Sequence, residues 1–232
     1  MVPGLCGPLT GLEDIEAAAT PLVELLSQGD QRRTPCRGYH HQLATCFGLP
    51  VEHGFPAAAL SLLGHGIDPG EYCWLHADPV NLLADMDRAL LTDSQALDIS
   101  QDQAARLVKE LNAHFAADGM SLLMADRNNW FIRLDACDLK TTPLRQVVGR
   151  NINHQLPGGD GASGWRRLLN EVQMLLHISD VNQQREQRGQ LPVNSLWLWG
   201  EGTLPSPGET GITQVYADDH VVAGLARLNQ IP

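Results

Sequence analysis

Positive charge is scarce in this 232-residue chain: 16 Lys and Arg stand against 27 Asp and Glu, a formal net charge of −11. Nucleic acids and anionic lipid surfaces need a basic footprint, so neither nucleic acid nor membrane is expected as a partner. The densest basic groups are Arg166-Arg167 and, farther on, Arg185 and Arg188. Long apolar runs are missing too, since no segment approaches the roughly 18 residues of a membrane span. Met1–Cys6 carries no basic stretch ahead of an apolar run, so no signal peptide is expected and the expected location is cytoplasmic. Cysteines are few and scattered: Cys6, Cys36, Cys46, Cys73 and Cys137 are odd in number and contain no Cys-x-x-Cys. That pattern argues against a disulfide framework or zinc ribbon and for reduced thiols.

What is present is ordinary globular composition, 43% apolar and 19% charged, in a chain long enough to bury roughly 70% of its unfolded surface. Apolar residues at helical spacing predict a helix over residues 10–27 (Leu12, Ile15, Ala19, Leu22, Val23, Leu26), kinked or split at Pro21. Further helices are predicted over 39–47, ending at Gly48-Leu49-Pro50, and over 56–63, with Pro56 in its first turn and Gly64 as its stop. After the turn Asp68-Pro69-Gly70, residues 72–77 and 88–91 read as strands. Ser100 caps a helix over 101–117 with Ala104, Leu107, Val108, Leu111 and Phe115 on one face. Residues 121–125 and 130–134 read as a hairpin across Asp126–Asn129, so this middle region predicts an antiparallel sheet with a helix on one face. A short helix is expected over 143–148, a longer one over 165–177, a buried strand over 193–199, another strand over 212–216 and a helix over 221–228. The expected fold class is α/β. Residues 1–70 and 165–232 would form an α/β scaffold, 71–140 an inserted α+β antiparallel subdomain, and 141–164 a linker centred on Pro157–Gly161.

The densest candidate site runs from His177 to Gly202. Asn182 is placed to cap a short helix presenting Arg185 and Arg188, three apart and so on one face, with Gly189 as its stop. The apolar run Val193–Trp199, near Asn194, ends in the turn Gly200-Glu201-Gly202. Ligands of open α/β sheets lie beyond the carboxyl ends of strands, which makes Asn182, Arg185, Arg188, Asn194, Gly200 and Gly202 the candidate ligand-binding residues. The alternative is structural: Arg185 pairs with buried backbone and locks the strand. Trp197 and Trp199 share a face, as core or as the wall of a cleft.

Asn182-x-x-Arg185, Gly189, Pro192-x-Asn194 and Leu196-Trp-x-Trp-Gly-x-Gly202, in this order, resemble the archaeal-type cofactor-independent phosphoglycerate mutases. Ala58–Gly64 with Asp68-Pro69 is similar to the segment after that family's nucleophile, and Asp78-Pro79-Val80 with the helix from Ser100 to its inserted lid. The chain also resembles short bacterial proteins called regulatory proteins of the RpfE type. The resemblance implies a truncated alkaline-phosphatase-like parallel α/β layer with the antiparallel unit inserted. It also exposes departures. The family needs a Ser flanked by Gly and Asp, activated by two divalent metals; the matching positions here are Gly54-Phe55-Pro56, and Phe55 cannot attack phosphorus. A phosphate-binding Arg is expected where Leu83 stands, although Arg88 follows.

No rebuilt metal centre is expected. His40 and His41 diverge by about 100° on a helix, even with Cys36 nearby; Asp218-Asp219-His220 fits helix capping; His53, His65 and His76 read as isolated. Ser61 and Ser195 lack a nucleophile's context. The expectation is therefore no catalytic residue, no metal, no cofactor and a non-catalytic, regulatory or ligand-binding scaffold whose partner is a small anion or a protein. Its alternative is a metal-dependent phosphoglycerate mutase-like or phosphoryl-transfer enzyme with an altered site, using Arg185, Arg188, His76 or Asp78.

Overall fold

The computed structural model describes residues 38–50, 54–85, 88–134, 139–150 and 162–232, together with Glu24, Ser27, Gln28, Ile152 and Gln155. Two compact units are formed, Met1–Gln42 and Leu43–Pro232. In the first, Ser27 Oγ donates to the Glu24 carbonyl (2.7 Å), and α1 (Tyr39–Cys46) begins after Gly38. The expected helix over 10–27, Cys6, Cys36, Cys137, His53 and the turn Pro157–Gly161 lie outside the described residues.

The second unit is organised on β1 (Cys73–Asp85), a strand of 13 residues. Its length lets it hold different neighbours along its course. Cys73–His76 pair with β4 (Trp130–Leu134), Trp74–Val80 with β5 (Ser195–Gly202), and Asn81–Asp85 with β2 (Arg88–Thr92), all antiparallel; β3 (Leu122–Met124) joins β4 through the expected hairpin. The α/β class with an antiparallel sheet is thus what the chain adopts. Within it, β5 was expected in a parallel layer and instead runs antiparallel to β1. Its unbroken burial has another cause: helices cover it on both sides. Segments 71–140 and 165–232 therefore contribute strands to one sheet.

Alternation along the strands builds two faces. Cys73, Leu75 and Ala77 of β1, Trp130 and Ile132 of β4, and Leu196 and Leu198 of β5 pack against α4 (Gln101–Phe115) and α5 (Ala162–Ile178). α4 starts where expected because Ser100 Oγ accepts from Gln103 N (3.2 Å) while the Gln103 side chain accepts from Ser100 N (3.1 Å), a reciprocal capping box. It buries Ala104, Leu107, Val108, Leu111 and Phe115, the predicted stripe. A single turn, α3 (Ser94–Leu97), precedes it, and α6 (Asp180–Gln187) follows α5. On the opposite face, Trp74 of β1 and Phe131 of β4 pack with Ala58, Ala59 and Leu62 of α2 (Ala57–Gly64), which in turn carries α7 (His220–Leu228).

Backbone meets backbone between α2 and α7. A Cβ on Gly64 would stand 1.8 Å from the His220 carbonyl oxygen, and one on Gly224 would stand 1.8 Å from that of Leu60. Only hydrogen fits at either position, so two glycines set how close the helices come.

Three smaller expectations change. Residues 212–216 form no strand; Val215 N donates to the Pro232 carbonyl instead (3.0 Å). α6 is capped by Ser179, whose hydroxyl accepts from Val181 N, because Asn182 lies inside the helix. Cys73 is disulfide-bonded, so the reading of the cysteines as reduced thiols does not hold for it, while Cys46 is free. Disulfide pairing depends on how closely the fold brings two Cα atoms, which spacing along the chain does not reveal. Among the described residues no helix is long and apolar enough to cross a membrane.

Candidate functional site

The candidate ligand-binding residues divide between the two faces. Arg185 is fully buried. Its Nε donates to the Leu191 carbonyl (2.9 Å), Nη1 to Gln103 Oε1 (2.8 Å) and Nη2 to the Leu97 carbonyl (2.6 Å). The guanidinium thus joins α6 to the start of α4 and the end of α3. Burial lowers its pKa from the ordinary value, with Asp98 opposing, and it keeps its charge because arginine does so throughout the physiological range. Arg188, at the α6 C-cap, is exposed; the pair does not present one face. Asn182 donates to the Leu176 and Val193 carbonyls (2.8 and 2.7 Å) and accepts from Val193 N (2.9 Å). Asn194 accepts from Leu82 N (2.7 Å) and donates to its carbonyl (2.9 Å). These two asparagines stitch α6 to the approach of β5, and that approach to β1.

Gly200 and Gly202 lie at the other side, against the start of α2. A Cβ on Gly200 (φ +72°) would stand 2.8 Å from Ala57 Cβ, and one on Gly202 (φ +152°) 2.5 Å from Pro56 Cβ. The turn expected at Gly200-Glu201-Gly202 is instead the end of β5, which runs on to Gly202 and lies against Pro56 and Ala57 at the start of α2. Thr141 fastens this end of β5: its hydroxyl donates to Glu201 Oε2 and accepts from Gly200 N (3.1 Å). Leu83 is 55% exposed; the Arg88 side chain lies outside the described residues.

The polar side chains gather on this α2–α7 face. His76 and Asp78, two apart on β1 and so on the same side, are almost wholly buried, with His76 Nδ1 3.2 Å from Asp78 Oδ1. Trp199 Nε1 donates to Asp78 Oδ2 (2.7 Å), and its rings stack on the imidazole at 4.2 Å with 5° between planes. The carboxylate holds the Nδ1 proton and orients the ring, leaving Nε2 buried without a hydrogen-bond partner. The carboxylate and the indole together lock the ring in one orientation.

Phe131 separates this dyad from a second cluster, its ring 4.5 Å from His76 and 6.3 Å from His65. His65 is the C-cap of α2 and His220 the first residue of α7, so the Gly64–Gly224 contact stacks their rings, 3.6 Å between centroids and 23° between planes. Asp126 opens the β3–β4 turn. Its Oδ1 accepts from the backbone N–H of Asn128 (2.7 Å) and Asn129 (2.8 Å), and Asn129 Nδ2 spans both carboxylate oxygens (3.0 and 2.9 Å). That fixes Oδ2 3.7 Å from His65 Nε2 and 3.8 Å from His220 Nε2. Burial lowers the pKa of His65 from its ordinary value; the neighbouring His220 adds to this and Asp126 opposes it.

Sequence reading missed this cluster. It treated His65 as isolated, Asp126 as a turn residue and His220 as part of a helix start. Asp219 does cap α7, accepting from Val221 N (2.9 Å). Nothing in the spacing of three distant segments signals their meeting.

Together the fold and the α2–α7 face define an α/β protein with one antiparallel sheet between two helical layers and a polar site on one face. In sequence, the chain resembles the cofactor-independent phosphoglycerate mutases. It is 28% identical over 177 residues to the 2,3-bisphosphoglycerate-independent phosphoglycerate mutase of Methanosarcina barkeri, covering 68% of this chain and 44% of that protein. It is 25% identical over 215 residues to the Methanosarcina acetivorans enzyme (82% and 50%), and 28% identical over 134 residues to a probable mutase of Geobacter sulfurreducens (54% and 32%). The chain thus spans at most about half the length of these curated relatives. No family model matches. Among solved structures, the PH0037 protein from Pyrococcus horikoshii shares the fold, with TM-score 0.50 and 16% identity over 84% of this chain and 46% of that one. A cofactor-independent phosphoglycerate mutase from Thermoplasma acidophilum aligns over 83% of this chain and 56% of its own, at TM-score 0.46 and 16% identity.

Proposed function

We propose that this chain is a phosphoglycerate mutase-like phosphoryl-transfer enzyme with an altered site, acting on a small phosphorylated carboxylic acid. The observation that carries the reading is the sequence similarity to named mutases over 177 residues. The geometry supports it locally. The Gly200–Gly202 end of β5 meets the first residues of α2, and the His76–Asp78 pair lies under the same helix layer, with Asp78 orienting the imidazole. Phe55 offers no hydroxyl, so a phosphoryl group is not held covalently at that position. The altered chemistry moves the phosphoryl group to water or between substrate oxygens.

The test is turnover of 3-phosphoglycerate by the purified full chain with Mn2+ or Zn2+ supplied, following both 2-phosphoglycerate and free phosphate. Turnover above the metal-only background is expected, falling at least tenfold in Asp78→Asn, a change that in acid–base catalysis removes a factor of about 10²–10⁴. Thermal melts show whether that variant is folded. Identical rates with and without protein would sink the enzyme reading. The non-catalytic scaffold, which Phe55 in the nucleophile position favours, would then stand.

A further inference from the structure

We propose that His65, Asp126 and His220 form a binding site for one divalent first-row transition-metal ion, of the Zn2+ or Co2+ class, with open coordination positions. The site does not rest on the phosphoglycerate reading. Its residues differ from those the resemblance points to, and its test is metal binding rather than turnover.

The first observation is convergence. Two imidazole nitrogens and one carboxylate oxygen lie within 4.8 Å of one another. The second is an unsatisfied donor set. The His65 side chain is only 9% exposed, yet its Nε2 has no hydrogen-bond partner. A direct N–H···O bond would bring Nε2 to about 2.9 Å from the carboxylate; at 3.7 and 3.8 Å both imidazoles stop short of Asp126 Oδ2. A tetrahedral ion with bonds of about 2.1 Å needs donors roughly 3.4 Å apart, so the two carboxylate–imidazole separations close by only a few tenths of an ångström, while the His220 ring turns out of its stack on His65 to bring both nitrogen lone pairs onto one ion. His220 supplies the adjustment, because its side chain is the most exposed of the three (42%).

The surroundings are those of a ligand set as well. Asp126 Oδ1 accepts from the backbone N–H groups of Asn128 and Asn129 and Oδ2 accepts one hydrogen bond from Asn129 Nδ2 (2.9 Å), which holds the carboxylate with Oδ2 toward the imidazoles as outer hydrogen bonds hold a metal-bound carboxylate. Two nitrogens and one oxygen suit borderline ions such as Zn2+, Co2+ and Fe2+ over Mg2+ or Ca2+. Three protein ligands leave one or more positions for water or an anionic group, as in catalytic zinc sites. Asp126 and His220 are partly exposed, which gives those positions access from solvent.

The experiment uses the untagged 232-residue chain, stripped with a chelator and titrated with Co2+ while visible d–d absorption is followed, then challenged with Zn2+. One equivalent should saturate the signal, and Zn2+ should displace it. His220→Ala should abolish saturation, Asp126→Asn should weaken it at least tenfold, and His177→Ala, an exposed histidine at the end of α5, should leave it unchanged. Thermal melts of the metal-free variants report folding; should His220→Ala fail to fold, Asp126→Asn carries the same reading. Stoichiometric binding that survives His220→Ala, Co2+ affinity unchanged in Asp126→Asn, or no saturable binding by the unsubstituted chain overturns the site. Turnover of phosphoglycerate without metal binding here, or metal binding here without turnover, separates this inference from the proposed function.

Discussion

Arg185 shows how much a single side chain can hold. It is charged, fully buried, and answered by two backbone carbonyls and one amide oxygen from three different stretches of chain. Arg185→Met keeps much of the volume but leaves the Leu97 and Leu191 carbonyls without their donors, and each buried orphan costs about 1–3 kcal/mol. A loss of about 3 kcal/mol in unfolding free energy is therefore expected in urea titration. Unchanged stability with a lost ligand would instead give Arg185 the anion-binding role its motif suggested. Asn182 is its companion. Replacing it with Ala removes three hydrogen bonds at once, two of them to Val193. The result should be a loss of about 2 kcal/mol and a looser entry to β5, readable as faster amide exchange at Val193. Arg188 and Arg185 were equivalent as letters three apart. Their difference comes from where α6 ends, since Arg188 caps the helix while Arg185 is turned into the interior.

At the scale of elements, the contact of α2 with α7 decides what the α2–α7 face can do. Gly64→Ala puts a methyl group 1.8 Å from a carbonyl oxygen that belongs to backbone and cannot swing aside. The helices must separate, at a cost of about 1–3 kcal/mol typical of overpacking. Separation also draws His65 from His220, so Co2+ affinity should fall although no ligand has been changed. Gly224→Ala should act the same way from the other helix. Retained stability and retained Co2+ binding in both variants would show that the helices do not need this approach. β5 makes the complementary point. Its apolar run reads as a strand buried on both faces, and it is one, but the covering helices do not make it parallel to its neighbour.

Across the whole molecule, β1 is the common partner of β2, β4 and β5. Residues 71–140 cannot leave the sheet without stripping β5 of its pairing. Urea unfolding should therefore appear as a single transition, coincident by far-UV circular dichroism and by fluorescence of Trp130, Trp197 and Trp199, which sit on opposite faces of the sheet. Coincidence of probes is the test of such cooperativity. Two separated transitions would instead mark 71–140 as an independently stable subdomain.

Local patterns were enough for much of the scaffold. Ser100 with Gln103 and a 3.6-residue stripe specify α4; alternation across Asp126–Asn129 specifies the hairpin; an apolar run ending in glycine specifies β5. Each depends on neighbours within a few residues, and for these the backbone's own hydrogen bonding and side-chain periodicity suffice. The meeting of His65, Asp126 and His220 depends on two glycines that let α2 and α7 touch and on a turn packed beside them. Likewise the burial of Arg185, the antiparallel course of β5 and the disulfide at Cys73 follow from contacts between segments far apart in the chain. Such contacts are chosen by packing of the completed fold, and no short stretch of residues encodes them.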